Sequence, residues 1–225
     1  YNWEKIPGLI YRKAGNIFEN AHVFADSSDI EKFPYPARDL VNLSLFKSHP
    51  QMRFGRLTAS MITSRGCPWE CTYCSSNVTM GRAFRFLSAD YVVGEIEEIY
   101  NRYGINNFVF WDDVLTLKSD RLQDICEKIL NKKLAIRWFC QSRSDMLTKE
   151  MLKVMHRAGC RMISFGIESG NQKTLERIKK RIDFGKISQT IAYCREVGVR
   201  TQGSFILGLP FETLADMNET IQFAK

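Results

Sequence analysis

The feature that most constrains this chain is a loop that holds three cysteines close together. Residues 63–76 read TSRGCPWECTYCSS and follow an apolar, strand-like run at 57–63. The C-x-x-x-C-x-x-C spacing places Cys67, Cys71 and Cys74 in one short loop. Thiolates suit zinc or an iron–sulfur cluster, and a structural zinc site uses four protein ligands. The loop has no fourth cysteine or histidine, so it predicts a cluster with one iron open to another ligand.

After this loop the sequence alternates between strand-like and helix-like segments. Five mainly apolar runs of strand type lie at 57–63, 105–111, 134–140, 161–165 and 199–207. This alternation predicts an α/β fold with a parallel sheet and right-handed crossovers. Because an eight-stranded barrel needs more strands than these, we expect a partial barrel over 57–225 that continues beyond Lys225.

Residues 1–56 differ from the rest because Pro and Gly interrupt them repeatedly. We interpret them as a turn-rich lead-in from an upstream domain, with a small hairpin at about 9–18. Farther along the chain, capping signals predict where helices begin. These signals are Ser88, Thr148, and a capping box formed by Thr213 with Asp216, and a further helix is expected to start at Ser119.

Polar or glycine-rich residues follow every predicted strand. In parallel barrels the functional groups lie at the carboxyl ends of the strands, so these residues are the candidates for a site. Beyond the cysteine loop they are Asp112-Asp113, Ser142-Arg143, Glu168-Ser169 and Gly208. The alternative for each charged residue is a helix cap or a surface ion pair. We favour ligand contact for Arg143 and Glu168 and leave both interpretations open for Asp112 and Asp113.

The cysteine loop, with Tyr73 directly before its last cysteine, resembles the signature of the radical S-adenosylmethionine (SAM) superfamily. The resemblance implies a partial (β/α)6 barrel and a 4Fe–4S cluster held by Cys67, Cys71 and Cys74. It implies that SAM chelates the open iron and is cleaved by one electron to methionine and a 5′-deoxyadenosyl radical. That radical abstracts hydrogen from a substrate. The resemblance also places Tyr73 beside the adenine and the strand end at Gly208 beneath it.

The chemical groups of SAM give the other strand-end residues candidate roles in cofactor binding. Arg143 matches the SAM carboxylate because a guanidinium presents its donors in a planar fork. Glu168 would accept hydrogen bonds from the ammonium or from ribose hydroxyls, and Asp112 or Asp113 would face the amino group or the substrate. Ser142 is grouped with these residues at the SAM site.

Further segments resemble the branch of the superfamily that carries a cobalamin-binding domain. These segments are PGLIYR at 7–12, FPYPARDL at 33–40, FVFWDD at 108–113, SRSD at 142–145 and GIESG at 166–170. The resemblance implies methyl transfer, ring formation or another C–H functionalisation. It also implies that cobalamin is bound by a domain outside this chain, because no cobalamin-ligand motif occurs in it.

Three other functions stay open at this point. A methylthiotransferase acting on RNA or protein would share the cysteine loop. A non-catalytic iron–sulfur electron carrier would have a fourth protein ligand and no SAM chemistry. A zinc-stabilised binding module would be colourless.

Composition bears on partners and compartment. The net charge is +7, and the longest basic run is Lys179-Lys180-Arg181. We interpret this run as a solvated helix face and leave nucleic-acid binding as the less favoured alternative. We expect a small-molecule or peptide substrate and a reductase such as flavodoxin or ferredoxin. No apolar run reaches the length of a membrane span.

The cysteine count argues against a secreted disulfide framework, because the chain has seven cysteines and only three lie in the loop. The other four fall in apolar patterns, where cysteine is usually a small core residue. They are Cys126, Cys140, Cys160 and Cys194. We therefore expect a cytoplasmic protein in a reducing compartment.

Overall fold

The computed structural model describes residues 2–45 and 57–225. Its strands are β1 (Ile10–Lys13), β2 (Asn16–Glu19), β3 (Ala59–Met61), β4 (Ser64–Arg65), β5 (Arg85–Phe86), β6 (Asn107–Phe110), β7 (Arg137–Ser142), β8 (Cys160–Glu168) and β9 (Arg200–Phe205). Its α-helices are α1 (Ser27–Ile30), α2 (Ser76–Thr79), α3 (Ala89–Tyr103), α4 (Ser119–Asn131), α5 (Lys149–Arg157), α6 (Gln172–Arg177), α7 (Phe184–Val197) and α8 (Leu214–Phe223).

One parallel sheet of five strands organises the fold. Its strand order is β3-β6-β7-β8-β9, and every neighbouring pair is parallel. The order follows the chain, as it does in a βα barrel, and the predicted α/β fold with a partial parallel barrel is confirmed. All the strand ends that the sequence marked as candidates therefore lie at one edge of this sheet.

The two faces of the sheet differ in what they bury. Phe108, Phe110, Trp138 and Phe165 face the main core, which the apolar faces of α3, α4, α5 and α7 complete. The intervening residues of the strands form only a small separate cluster of Val109, Phe139 and Met162. The helix-covered face thus provides most of the core. The other face leaves room for bound molecules at the edge formed by the carboxyl ends of the strands. The four scattered cysteines are all buried, as predicted.

Three of the predicted helix starts are confirmed by their caps. Ser88 and Thr148 accept hydrogen bonds from the backbone N–H three residues later, and Thr213 forms the predicted capping box with Asp216. Helix α4 begins at Ser119, as expected. Helix α7 begins at Phe184, where the Asp183 side chain is the cap.

The lead-in contains the predicted hairpin, formed by antiparallel β1 and β2. It is attached to the core by a largely buried ion pair in which the Arg38 guanidinium lies 2.6 Å from the Glu95 carboxylate of α3. Arg38 also donates to the carbonyl oxygen of Ser60 at 3.3 Å, so it satisfies an acceptor on edge strand β3. The division of the chain at residue 56 lies outside the described residues and stays a prediction. None of the described helices is long and apolar enough to cross a membrane.

Candidate active site

The cysteine loop joins β4 to α2, and backbone hydrogen bonds fix both of its halves. The N–H of Cys67 donates to the carbonyl of Gly81 at 3.2 Å, and that of Thr72 donates to Ile178 at 3.0 Å. Gly66 has a φ of +88°, and a β-carbon there would collide with a backbone carbonyl. The loop can begin in this conformation only because the residue before Cys67 is glycine.

A buried polar network supports the start of the loop. The Asp112 carboxylate is only 1% exposed, and its Oδ1 accepts from the Thr63 hydroxyl at 2.7 Å and from the Ser64 hydroxyl. The Thr63 N–H donates to the same carboxylate at 3.2 Å, and Arg121 donates to the Thr63 hydroxyl at 2.9 Å. Burial raises the pKa of Asp112, and the hydrogen bonds from Ser64 and Thr63 oppose that rise. Asp112 therefore holds the strand end below the loop.

A cavity of about 300 Å³ lies beside the loop, at the edge of the sheet formed by the carboxyl ends of the strands. We call it the cysteine cavity, because all three loop cysteines line it. The loop and the ends of β7 and β8 provide most of its charged and polar wall. The lining includes Cys67, Cys71, Cys74, Tyr73, Asp113, Ser142, Arg143, Gly166, Glu168 and Lys180.

Three polar side chains are bonded to one another in this wall. Glu168 Oε1 accepts from the Tyr73 hydroxyl at 2.8 Å and from Lys180 Nζ at 3.3 Å, and Lys180 also donates to the Tyr73 oxygen at 3.2 Å. The Glu168 and Lys180 side chains are about nine-tenths buried. Burial, followed by the negative charge of Glu168, raises the pKa of Tyr73. The tyrosine is thus a neutral donor to the carboxylate.

The backbone at Glu168 is unusual. Its φ is +72°, in the left-handed region that costs a non-glycine residue about 1–3 kcal/mol. The β8–β9 register also shifts between Gly166 and Glu168. A β-carbon at Gly166 would collide with Glu168 Oε1. This local distortion folds the carboxylate back over the glycine and toward the cavity.

Arg143 follows the end of β7, and two of the three nitrogens of its guanidinium already donate hydrogen bonds within the protein. Its Nε and Nη2 donate to the Asp145 carboxylate at 3.0 and 2.9 Å, and Nη2 also donates to the carbonyl of Lys180 at 3.1 Å. Its guanidinium lies over the Trp69 ring at 4.3 Å. Nη1 remains as the group that can bind a ligand anion. Next to it, the Ser142 hydroxyl is 2.7 Å from that of Thr116.

A comparison with family models identifies this arrangement. The model of the Radical SAM superfamily matches residues 61–224, which include the cysteine loop and the whole sheet apart from the start of β3. The chain belongs to the radical SAM superfamily. Membership implies a 4Fe–4S cluster and SAM as cofactors.

Two curated relatives of this radical SAM chain are methyltransferases. It is 33% identical over 220 residues to an uncharacterized methyltransferase of Pyrococcus horikoshii. This match covers 98% of this chain and 47% of the relative. It is 27% identical over 212 residues to the cytidylyl-2-hydroxyethylphosphonate methyltransferase of Streptomyces wedmorensis, covering 88% of this chain and 39% of the relative. The chain thus spans less than half the length of these relatives.

A solved structure confirms the fold. The cobalamin-dependent S-adenosylmethionine radical enzyme OxsB, with aqua-cobalamin and S-adenosylmethionine bound, matches with a TM-score of 0.80. The sequences are 22% identical, and the match covers 99% of this chain and 32% of that chain. At this identity the likeness establishes the radical SAM fold alone.

The radical SAM chain gathers most of the predicted site residues around the cysteine cavity. Two predicted cofactor-binding residues do not line it. Asp112 lies behind the wall of the cavity, where its carboxylate accepts hydrogen bonds from Thr63 and Ser64. Gly208 is exposed, and its N–H donates to Glu212 at 2.8 Å because the chain turns there after β9. These are the contacts that the structure shows for Asp112 and Gly208, and their contact with SAM stays a prediction. The members that the cavity does bring together are Cys67, Cys71, Cys74, Tyr73, Ser142, Arg143 and Glu168.

Lys180 is the cavity residue that sequence reasoning missed. The interpretation of Lys179-Lys180-Arg181 as a solvated helix face is wrong for Lys180, because α6 ends at Arg177. Residues 179 and 181 both have positive φ, and Lys180 between them is buried. No periodic pattern in the sequence marks Lys180 as buried, because its direction depends on the positive φ of the residues on both sides.

The donor set of the cavity fits the cofactors of a radical SAM enzyme. All three loop cysteines line this cavity, and thiolates are the ligands that iron–sulfur clusters take. Burial raises the pKa of Cys67, so its thiol stays protonated until a metal replaces the proton. The same wall presents cationic Arg143 and Lys180 and anionic Glu168. These charges complement the carboxylate and ammonium of SAM.

Proposed function

We propose that this chain is the core of a radical SAM methyltransferase of the cobalamin-linked branch, acting on a small-molecule or peptide substrate. The observation that supports it best is the cysteine cavity, where three cluster-type thiols face a buried Glu168–Lys180 pair and Arg143. Two curated relatives, those of Pyrococcus horikoshii and Streptomyces wedmorensis, are named as methyltransferases. The OxsB structure, which shares the fold, holds cobalamin as well as SAM.

In this proposal the side chains bind and orient the cofactors. Cys67, Cys71 and Cys74 would hold the cluster, which with SAM and cobalamin supplies the one-electron chemistry and the methyl group. Arg143 Nη1 and the Lys180 ammonium would bind the SAM carboxylate. Glu168 Oε2 would accept from the SAM ammonium or a ribose hydroxyl.

The Tyr73 hydroxyl donates a hydrogen bond to Glu168 and keeps that carboxylate in place. Cobalamin would be held by a part of the protein outside these residues, and a reductase such as flavodoxin or ferredoxin would deliver electrons.

The decisive experiment is anaerobic SAM cleavage by the longest available form of the protein. After reconstitution with iron and sulfide and chemical reduction, we expect methionine and 5′-deoxyadenosine to form from SAM. A loaded cluster that never cleaves SAM would instead support an electron carrier. A colourless protein that retains zinc would contradict both functions.

Lys180 provides a test of the SAM site itself. Replacing Lys180 with methionine keeps the length of the side chain but removes a buried ammonium from the cavity wall. We expect the cluster to load normally and SAM to bind roughly 10-fold more weakly, because a hydrogen bond to a charged group contributes about 1.5–3 kcal/mol. Equilibrium binding of SAM to the cluster-loaded protein measures the change.

The matched control is Lys179→Met, which removes an ammonium group from the neighbouring residue. Lys179 also has a positive φ, but its side chain is half-exposed and lies 3.6 Å from Glu70 at the surface. SAM affinity should stay within about twofold of the wild type, since surface ion pairs contribute little. Equal losses in the two variants would remove Lys180 from the proposed site.

A further inference from the structure

A second and larger cavity lies between the lead-in and β3, with a volume of about 570 Å³. We call it the lead-in cavity. Residues between 25 and 38 form one wall, and residues of β3, β4, β5 and α3 with Trp111 form the other. None of the three loop cysteines and no residue assigned to SAM lines it.

Two chain segments connect this cavity to the cysteine cavity. Arg65 lines the lead-in cavity and Cys67 lines the cysteine cavity. In the second segment Trp111 lines the lead-in cavity and Asp113 the cysteine cavity. Because even an extended chain rises only about 3.3 Å per residue, each pair spans at most about 7 Å. A molecule in the lead-in cavity would therefore lie next to the proposed SAM site.

The wall of the lead-in cavity carries more positive than negative charge. Its charged residues are three arginines and one glutamate. Glu95 is already paired with Arg38. Arg85 is buried and donates to three backbone carbonyl oxygens, which are neutral. Two positive charges, on Arg85 and Arg65, thus lack a counter-charge on this wall.

Arg65 is the cation best placed to bind a ligand. Its side chain is half-buried and has no hydrogen-bond or ion-pair partner within residues 2–45 and 57–225. Arg65 and Arg85 are direct cross-strand partners of β4 and β5, so their side chains lie on the same face. Burial and the charge of Arg65 together lower the pKa of Arg85. Withdrawing an unpaired charge from water is costly unless a partner compensates it. A carboxylate or phosphate is the partner whose geometry matches a guanidinium.

Trp111 gives the lead-in cavity an apolar surface in addition to the charge of Arg65. Its ring is 43% exposed in the cavity. The ring is held in place because Nε1 lies 3.3 Å from the Ser60 hydroxyl and Phe139 packs edge-on at 6.3 Å. Ile62 beside it is 44% exposed. A fixed aromatic ring with a free surface is suited to stacking against an apolar or aromatic molecule.

We propose that the lead-in cavity is the substrate pocket and that it selects an organic anion with an apolar or aromatic body. Its carboxylate or phosphate pairs with Arg65, and its body lies on Trp111. The assignment of this ligand as the substrate rests on the proposed function, whereas the binding preference does not. Binding and SAM cleavage are therefore measured separately.

Calorimetry on the cluster-loaded protein tests the preference with three probes: naphthoate, naphthyl phosphate and neutral naphthylmethanol. We expect at least one of the two anions to bind about tenfold or more tightly than the alcohol, because of the charged hydrogen bond. The tighter anion identifies a carboxylate or a phosphate as the recognised group. Equal binding of all three probes, or no binding, would overturn the proposal even if the protein cleaves SAM.

Variants locate the probes. Arg65→Gln should reduce the preference for the anions to about twofold or less, whereas Arg12→Gln, which removes an exposed hairpin arginine, should leave it unchanged. A preference that persists in Arg65→Gln would contradict the assignment. If Arg65→Gln fails to load its cluster, Trp111→Ala decides. It should weaken all three probes about tenfold relative to the exposed-tryptophan control Trp3→Ala, and equal affinities in these two variants would exclude this cavity.

Discussion

Cys71→Ala should lose the reconstituted cluster and all detectable SAM cleavage. Cys71 is the central cysteine of the loop and the most buried of the three, with 9% of its surface exposed. Without it, two thiolates remain to hold a cluster for which the loop has no replacement ligand. Iron and sulfide analysis, the visible absorption of the cluster and the yield of 5′-deoxyadenosine measure the loss.

Cys194→Ala is the matched control, because it removes a cysteine from the core instead of the loop. Cys194 is fully buried among the apolar side chains of α7 and the sheet. We expect this variant to be somewhat less stable and to bind iron and cleave SAM as the wild type does. If both variants lose the cluster, the effect is one of folding; if both retain it, the loop is not the ligand.

The sequence was sufficient to predict the fold because its signals are local. Each strand is a short apolar run, and caps such as Ser88 and Thr148 mark the helix starts. Since a parallel arrangement brings the strand ends to one edge, Tyr73, Arg143 and Glu168 were also expected to lie together, and all three line one cavity.

The parts that could not be predicted depend on the direction of single side chains. Asp112 and Asp113 are adjacent and chemically identical, yet Asp112 points under the loop and Asp113 lines the cavity. Lys180 enters the cavity only because residues on both sides of it adopt positive φ. No periodic pattern encodes these turns. They result from tertiary contacts that fix the backbone.

Asp112→Ala should give the largest loss of stability. The substitution removes the acceptor of the Thr63 N–H, the Thr63 hydroxyl and the Ser64 hydroxyl, all of which are buried. It also takes a carboxylate away from the nearby buried Arg121. Hydrogen bonds to a charged group contribute about 1.5–3 kcal/mol, so we expect the free energy of unfolding to fall by about 3 kcal/mol or more. Urea denaturation measures it.

Asp113→Ala is the control, because Asp113 is exposed and accepts one hydrogen bond, from Ser76 at 2.6 Å. Its cost should be about 1 kcal/mol or less. The pH dependence adds a second criterion. Burial raises the folded-state pKa of Asp112 above its ordinary value of 3.8, so folding favours the protonated form. The stability advantage of the wild type over Asp112→Ala should therefore be largest below that ordinary value and should decrease as the pH rises through the folded-state pKa. An advantage that instead increases with pH would mean that the hydrogen bonds from Thr63 and Ser64 outweigh burial, and that the carboxylate is held below the loop chiefly by its charge.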